Sequence, residues 1–325
     1  MAASNRPELR DLEILRALLR VRYLTTRQIT WAFFTCPRVG RRRVHRLSEY
    51  DLIRPHAKGL PEALRYTAWR LTARGLDAVA HEFPDEPVPD GLIDRVATGS
   101  LHHALHREAL AELYLGLAIP PRTELADSDL AAHRRWVGEM RARAGSITWQ
   151  PDGDVVLSVS QLGQRVDVVP DAVVRSRAQW RVFIELDRST KDLGRIREGL
   201  ERYQSVLRHH DFGGDAPCVL FVVRSAARKA NIQKLTAGLP LVVVEHSQAV
   251  AWLREQLLAI LPAASTTDRT PMHTAAHRAY SWMVKLDRVL RMNGMHAALS
   301  EAEPDLMKQG VERMTALYHR LKASP

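Results

Sequence analysis

Acidic residues at the ends of two predicted strands are the side chains in this sequence that could carry chemistry. Pro170 and Asp171 close one strand, and Glu185 and Asp187 close the next one along the chain. Because side chains alternate along a strand, Glu185 and Asp187 share the face opposite the apolar residues around them. Carboxylates from neighbouring strands on a dry scaffold suit Mg²⁺, which can activate water and neutralise phosphate charge. The pattern is therefore compatible with metal-dependent chemistry on a phosphate.

A helix before these strands could add a further oxygen ligand. Apolar residues repeat at helical spacing over 102–117, and the same segment carries Glu108 and Glu112 one turn apart. Either glutamate could complete a set with the strand-end acids, which makes Mg²⁺ a candidate cofactor. In the alternative interpretation the strand-end acids are solvated or pair with Arg188 and Arg195, the commoner outcome for carboxylates.

The same helix carries two histidines at a metal-ligand spacing. His102 and His106 are four residues apart and share a face, so both could ligate zinc. A zinc site needs at least a third protein ligand, and none follows at a typical spacing. Packing or contacts with nucleic acid are the favoured roles for these histidines.

The acids are carried by a predicted α/β core. Strand patterns occur in ITW, DVVLSVS, RVDVVPDAVV and WRVFIELD, and a helix follows from 192 to 208. The strand CVLFVVR, a helix over 226–237, the strand LVVVEH and a helix over 247–260 complete the run. Antiparallel strands followed by alternating helices and apolar strands predict a mixed α/β domain.

Positive charge is concentrated at the N-terminus. The chain of 325 residues carries a net charge of +10, and residues 1–80 hold 16 Lys and Arg against 7 Asp and Glu. That segment alone therefore contributes +9, which places the surface for a polyanion at the N-terminus.

The N-terminal pattern predicts a helix-turn-helix. Residues 8–22 form an amphipathic core helix with its charges opposite the leucine stripe, and TRQITWAFF forms a second helix capped by Thr25 or Thr26. A third helix, in PRVGRRRVHRLSEYDLIRP, buries Val44 and Leu47. Its outward face is predicted to read DNA with five basic side chains, namely Arg41, Arg42, Arg43, His45 and Arg46.

Two short strands follow the third helix and predict a wing. Residues 53–56 and 65–71 read as strands around a loop rich in Gly, Pro and basic residues, and Thr72 caps the next helix. Lys58 and Arg65 are expected to contact the DNA backbone or the minor groove. We therefore predict a winged helix-turn-helix that binds double-stranded DNA.

Four segments are predicted along the chain. A winged helix-turn-helix covers 1–82, a Pro-rich acidic linker 83–100, the α/β domain 101–261 and a helical tail 262–325. Two amphipathic helices, over 272–293 and 302–321, could fold back on the core or form a homodimer. No long apolar run and no CxxC pair occurs, so we expect a cytoplasmic protein with free thiols and no membrane partner.

The sequence resembles the replication-relaxation family, whose proteins are implicated in plasmid replication and DNA relaxation. The resemblance lies in RRRVHRLSEYDLIRP, YTAWRLTARG, HHALHREALAELYL and RVDVVPDAVV…WRVFIELDRST…LGRIREGLERYQ. It implies a winged helix fused to a PD-(D/E)xK restriction-endonuclease-like core.

The resemblance also implies roles for the acidic residues. In such a core an Asp and a Glu bind the metal, which maps to Asp171 and Glu185, and a lysine follows the glutamate by two residues. Here Asp187 holds the place of that lysine, so Lys191 or Arg188 would have to supply the cation. Loss of a positioned cation costs transition-state stabilisation of about 3 to 4 kcal/mol, which argues against nuclease activity.

Three functions remain open from the sequence. The leading hypothesis is a DNA-binding regulator of a plasmid or mobile element, acting in replication, transfer or transcription control, with a degenerate nuclease-like core. The second is a metal-dependent DNA endonuclease or nickase that uses Asp171 and Glu185. The third is a scaffold that recruits replication or transfer proteins.

Overall fold

The computed structural model describes residues 7–56, 68–88, 101–122, 129–151, 154–161, 164–176, 180–188, 192–236 and 241–258. All of these residues belong to one compact unit, Met1–Pro262. The predicted tail helices and the wing loop lie outside the described residues, as do Lys58, Arg65 and Lys191. Among the residues described, no helix combines the length and hydropathy needed to cross a membrane.

The described elements confirm the predicted mixture of helices and strands. The helices are α1 (Leu9–Val21), α2 (Thr26–Phe33), α3 (Pro37–Glu49), α4 (Ala73–Glu82), α5 (Leu101–Ala118), α6 (Leu130–Ser146), α7 (Leu193–His209), α8 (Ala226–Gln233) and α9 (His246–Leu258). The strands are β1 (Leu24–Thr25), β2 (Ile53–Pro55), β3 (Ala68–Leu71), β4 (Ile147–Pro151), β5 (Leu157–Gln161), β6 (Gln164–Val168), β7 (Ala172–Ser176), β8 (Trp180–Asp187), β9 (Ala216–Val223) and β10 (Leu241–Glu245).

The N-terminal elements follow the order α1, β1, α2, α3, β2, β3, α4. The three strands form an antiparallel sheet in the order β1-β3-β2. Thr25 caps α2, because its side-chain oxygen accepts a hydrogen bond from the backbone N–H of Gln28 at 3.2 Å. Thr72 caps α4 in the same way, accepting from Gly75 at 3.0 Å.

Two glycines allow close contacts between these elements. A Cβ at Gly40 would lie 2.5 Å from Cγ2 of Thr30, so glycine permits α3 to cross close to α2. A Cβ at Gly75 would overlap the carbonyl oxygen of Leu52, which precedes β2. The backbone N–H of Thr72 donates to that same carbonyl at 3.2 Å. The start of α4 is thereby held against the strand pair.

Helix α1 is buried on all sides over most of its length, unlike the predicted amphipathic helix. Its leucines lie in the core as expected, but so do Asp11, Glu13, Arg16 and Arg20. The charges are tolerated because each is paired: Arg16 and Arg20 form ion pairs with Glu86. The charged face of α1 therefore makes structural contacts rather than facing water.

The described part of the predicted linker packs onto α1. The buried carboxylate of Glu86 accepts both arginines of α1, and the guanidinium of Arg16 lies 4.5 Å from the ring centre of Phe83. Arg141 of α6 bonds Glu13 at 2.9 Å and Glu82 at 3.1 Å. Residues 83–88 consequently form part of the folded body.

The central sheet has five strands in the order β10-β9-β8-β7-β4. Strand β8 is antiparallel to β7 and parallel to β9, so the sheet is mixed. The predicted strand RVDVVPDAVV is broken in two, since Pro170 and Asp171 separate β6 from β7. Asp171 therefore precedes a strand rather than closing one, and β5 and β6 form a separate hairpin.

Side-chain alternation along β8 separates two apolar layers. Val182, Ile184 and Leu186 join the larger core, which also includes α1, α5 and α9. Phe183 points into a second core built on α7. Glu185 and Asp187 share the face of Phe183, opposite Val182, Ile184 and Leu186.

Candidate functional site

The outward face of α3 carries a row of exposed basic side chains. Gly40, Val44 and Leu47 face the core. Exposed basic side chains recur at intervals of three and four residues on the other side, namely Arg38, Arg41, Arg42, His45 and Arg46. This spacing places them on one face of the helix.

Arg43 does not belong to that face, which corrects its predicted role in DNA binding. Its Nε donates to Oδ1 of Asp11 at 2.7 Å, and its guanidinium also contacts Glu8 at 3.2 Å. The Asp11 hydrogen bond raises the pKa of Arg43, and burial opposes that effect. Arg43 therefore fastens α3 to α1.

Three further cations near this surface were missed by sequence reasoning. Arg38 lies at the first turn of α3, and the pattern RRRVHR drew attention to the residues after it. Arg54 and Arg70 lie opposite each other in the β2–β3 pair. Burial lowers the pKa of Arg70, and the facing charge of Arg54 lowers it further. Alternation along the two strands was the signal that could have identified this pair.

Asp171, which immediately precedes β7, lies beside Glu185 of β8. The register pairs Ala172 with Ile184, which sets Asp171 beside Glu185 on the adjacent strand. The backbone N–H of Leu186 donates to Oδ2 of Asp171 at 2.7 Å, and Nε2 of His106 lies 3.1 Å from Oδ1. His106 of α5 therefore packs against the carboxylate of Asp171.

Glu185 is buried and held by a tyrosine on α7. The hydroxyl of Tyr203 donates to Oε1 of Glu185 at 2.7 Å. Burial raises the pKa of Tyr203 well above its usual value, and the negative charges of Glu185 and Asp171 add to that effect. The tyrosine consequently stays protonated and acts as a hydrogen-bond donor.

Asp187, at the place of the nuclease lysine, forms a buried ion pair. Nε of Arg228, on α8, donates to Oδ2 of Asp187 at 2.6 Å, and Nη2 lies 3.4 Å from Oδ1. This two-point contact is the strong geometry for an arginine and a carboxylate. Sequence reasoning missed Arg228 because it lies 41 residues away in the chain.

Glu108 is not part of the acidic cluster, which corrects its prediction as a metal ligand. Its carboxylate lies 3.5 Å from Arg27 of α2, and Glu112 lies 3.0 Å from the same guanidinium. Residues two apart on a helix point in nearly opposite directions, so α5 turns His106 to Asp171 and Glu108 away from it.

The cluster does not fit the proposed magnesium site. Among the residues that the structure describes, no group of three or more His, Cys, Asp or Glu side chains could hold a metal ion. Asp171 and Glu185 are together, but Asp187 is bonded to Arg228 and Glu108 lies near Arg27. We therefore derive no hydrolytic step through a metal ion.

Residues 15–216 match the family model described as replication-relaxation, and this span is more than half of the chain. The chain belongs to the replication-relaxation family. No curated protein and no solved structure matches it. The span matched to the replication-relaxation family includes α3, Asp171, Glu185 and Tyr203, but it stops before Arg228.

Proposed function

We propose that this replication-relaxation protein binds double-stranded DNA through its N-terminal region, residues 1–82, and acts in the replication, transfer or transcription control of a plasmid or mobile element. The observation that carries the proposal is the exposed basic face of α3. Four arginines and one histidine lie there, on the side of the helix that faces away from the core. An exposed arginine row on a helix suits the phosphates and base edges of a duplex.

The arrangement around α3 supports a winged helix. Helix α2 crosses α3 at Gly40, and a pair of antiparallel strands follows α3, in the order typical of that fold. The second helix of a helix-turn-helix is the one that enters the major groove, and here that helix is α3. Arg54 and Arg70 on the strand pair would contact the DNA backbone beside the groove.

The α/β core serves in this proposal as a non-catalytic body that supports the DNA-binding region. Asp187 and Arg228 occupy the place where a nuclease would carry its free cation, and they neutralise each other. Two contacts of α1 join the DNA-binding region to this body: Arg141 of α6 donates to Glu13, and Arg20 donates to the carbonyl of Trp149 in β4. The core would then hold α3 in a fixed orientation. A scaffold that recruits replication or transfer proteins would need the same rigid body.

A metal-dependent nickase is the competing function, and the juxtaposition of Asp171 and Glu185 favours it. Incubation of the full chain with supercoiled plasmid and Mg²⁺ or Mn²⁺ separates the two. Retarded migration of intact supercoiled DNA supports the binding protein. Conversion to the nicked or relaxed form, lost in Glu185→Ala, would establish the nickase instead.

Fluorescence anisotropy with a labelled duplex tests DNA binding directly. The double variant Arg42→Ala/Arg46→Ala is expected to bind far more weakly than the wild type. Arg202→Ala removes an exposed arginine from α7, which packs on β5 and β6, and is the control. Equal loss of affinity in both variants, or in neither, would refute the proposed interface.

A further inference from the structure

A cavity of about 720 Å³ lies between α2, the end of α5 and the start of α9. Its volume falls within the range of sites for small molecules, roughly 300 to 1,000 Å³. The walls are apolar where α5 and α9 meet, with Leu113, Ile119 and Val250 among the lining residues. Trp31 stands at the α2 side and is 60% exposed, which leaves an aromatic face open to a ligand.

Three nitrogen atoms of lining residues are buried and have no hydrogen-bond partner among the residues described. They are Nη2 of Arg122, Nε of Arg254 and Nε2 of His246. A buried donor left without an acceptor costs about 1 to 3 kcal/mol, and more if it is charged. Each of these atoms is covered by protein, so an acceptor on a ligand would reach it after a small turn of the side chain toward the cavity and would then remove that cost.

The two arginines are already positioned by the protein. Nη1 of Arg122 donates to the carbonyl of Phe34, and Nη2 of Arg254 donates to the carbonyl of Ile119 at 2.7 Å. Each guanidinium is thus anchored through one nitrogen while another remains unused. Anchoring of one nitrogen limits the freedom that each side chain loses when an anion binds.

The electric charge of the cavity is positive. The described residues that line it include three arginines, Arg27, Arg122 and Arg254, and one acid, Glu112. Glu112 lies 3.0 Å from Arg27, so its charge is largely offset. Burial lowers the pKa of Arg122 and of Arg254, and nearby Arg10 and Arg143 lower them further. A negative charge placed in the cavity would relieve this excess.

We propose that the cavity binds a small organic anion, a carboxylate or sulfonate attached to an apolar or aromatic body. The anionic group contacts Arg122, Arg254 and His246, and the body lies against the apolar wall and Trp31. This site is separate from the acidic cluster and from the basic face of α3. It does not depend on the DNA-binding proposal.

The probe is 8-anilinonaphthalene-1-sulfonate, whose fluorescence increases in apolar surroundings. N-phenyl-1-naphthylamine, which has the same aromatic body and no sulfonate, is the matched neutral probe. The full chain should bind one equivalent of the sulfonate, and the neutral probe at least about tenfold more weakly, as expected for a charge-assisted contact. Equal affinity for the two probes, or no enhancement with the sulfonate, would overturn the proposal.

Variants of the cavity arginines locate the bound probe. Arg122→Gln and Arg254→Gln should each weaken sulfonate binding about tenfold, and Arg202→Gln on α7 should leave it unchanged. Arg254→Lys retains the charge and should retain most of the affinity. Thermal denaturation of each variant shows whether it is folded. Unchanged affinity in folded Arg122→Gln and Arg254→Gln would place the probe elsewhere and refute the site.

Discussion

Arg43 of α3 bonds the buried carboxylate of Asp11 on α1 through Nε at 2.7 Å. The backbone N–H of Glu8 donates to the same carboxylate at 2.7 Å, which completes the cap of α1. Arg43, the third arginine of the RRR run, therefore fastens α3 to α1, whereas Arg41 and Arg42 are exposed. Substitution of Arg43 should consequently lower stability, whereas substitution of Arg42 should weaken DNA binding with little effect on stability.

Arg43→Ala is expected to lower the free energy of unfolding by about 2 to 3 kcal/mol, because it leaves Asp11 buried with fewer donors. The remaining bond from Glu8 keeps the loss below that of a wholly unpaired charge. Arg42→Ala should change stability by less than about 0.5 kcal/mol, since Arg42 is exposed. Urea denaturation of the two variants measures this difference. A larger loss in Arg42→Ala would contradict the assignment.

The salt dependence of DNA affinity should identify the phosphate contacts. Each neutralised phosphate contributes about −0.9 to the slope of log affinity against log salt concentration. If Arg42 and Arg46 each contact a phosphate, their double alanine variant should have a slope shallower by about 1.8. Anisotropy titrations at several salt concentrations give the slopes. A variant whose affinity falls without any change in slope would indicate base contacts instead.

The elements that depend on local pattern were predictable from the sequence. Apolar alternation identified β8 and its neighbours, and Thr25 and Thr72 marked the helix starts that the structure has. Such features are encoded within about ten residues of chain, so one sequence reveals them. The pairing of Asp171 with Glu185 was instead implied by the resemblance to the replication-relaxation family, and Asp171 precedes a strand rather than ending one.

Features that depend on tertiary contacts were not predictable. The charged side of α1 has the pattern of a solvated face, but Glu86 lies 70 residues from Arg16 and covers it. The same holds for Arg228 and Asp187. The Arg and Ala content of residues 119–146 suggested either a helix or a loop, and the structure places α6 in that stretch. The sequence around a charged residue looks the same whether that residue contacts water or forms an ion pair with a distant residue.

Gly75→Ala should be strongly destabilising. The added Cβ would overlap the carbonyl oxygen of Leu52, so α4 would have to move away from the strand pair. Gly199, in α7, is the control, because a Cβ added there would meet no neighbouring atom within 4 Å. Gly199→Ala should stabilise the protein by about 0.5 to 1 kcal/mol through helix propensity. Thermal denaturation should therefore shift in opposite directions for the two variants.

His56 should make stability depend on pH. It is buried and stacked on Tyr23, with ring centres 5.2 Å apart. Burial, with smaller effects of Arg70 and Arg107, lowers its pKa from 6.5 to about 4. Below pH 6.5 the unfolded chain binds a proton at His56, whereas the folded protein does not bind it until the pH approaches 4. The contribution of His56 to stability is therefore present above pH 6.5 and is lost as the pH falls towards 4.

His56→Phe keeps an aromatic ring against Tyr23 and removes the titratable imidazole, which isolates the effect of His56 protonation. Between neutral pH and about pH 5, the wild type should lose about 1 to 2 kcal/mol more of its unfolding free energy than the variant does. Urea denaturation at the two pH values gives both losses. Equal losses in the two proteins would show that His56 does not titrate abnormally.

Asp187 gives the sharpest test of the core, because its substitution by lysine restores the nuclease pattern in sequence but not in structure. Asp187 is 3% exposed and bonds Arg228. Asp187→Lys would place two cations in one buried site, and breaking such a pair typically costs about 3 to 5 kcal/mol. We therefore expect the single variant to unfold at a lower urea concentration than the wild type and to show no nicking activity.

The double variant Asp187→Lys/Arg228→Ala removes the repulsion and leaves Asp171 and Glu185 in place. It should recover part of the lost stability, which urea denaturation will show. A plasmid assay with Mg²⁺ compares the wild type with both variants. The wild type should leave the plasmid supercoiled. If the Asp187–Arg228 ion pair is what keeps the core inactive, the double variant should nick the plasmid. Nicking by the wild type, abolished by Glu185→Ala, would show that the Asp187–Arg228 pair does not prevent catalysis.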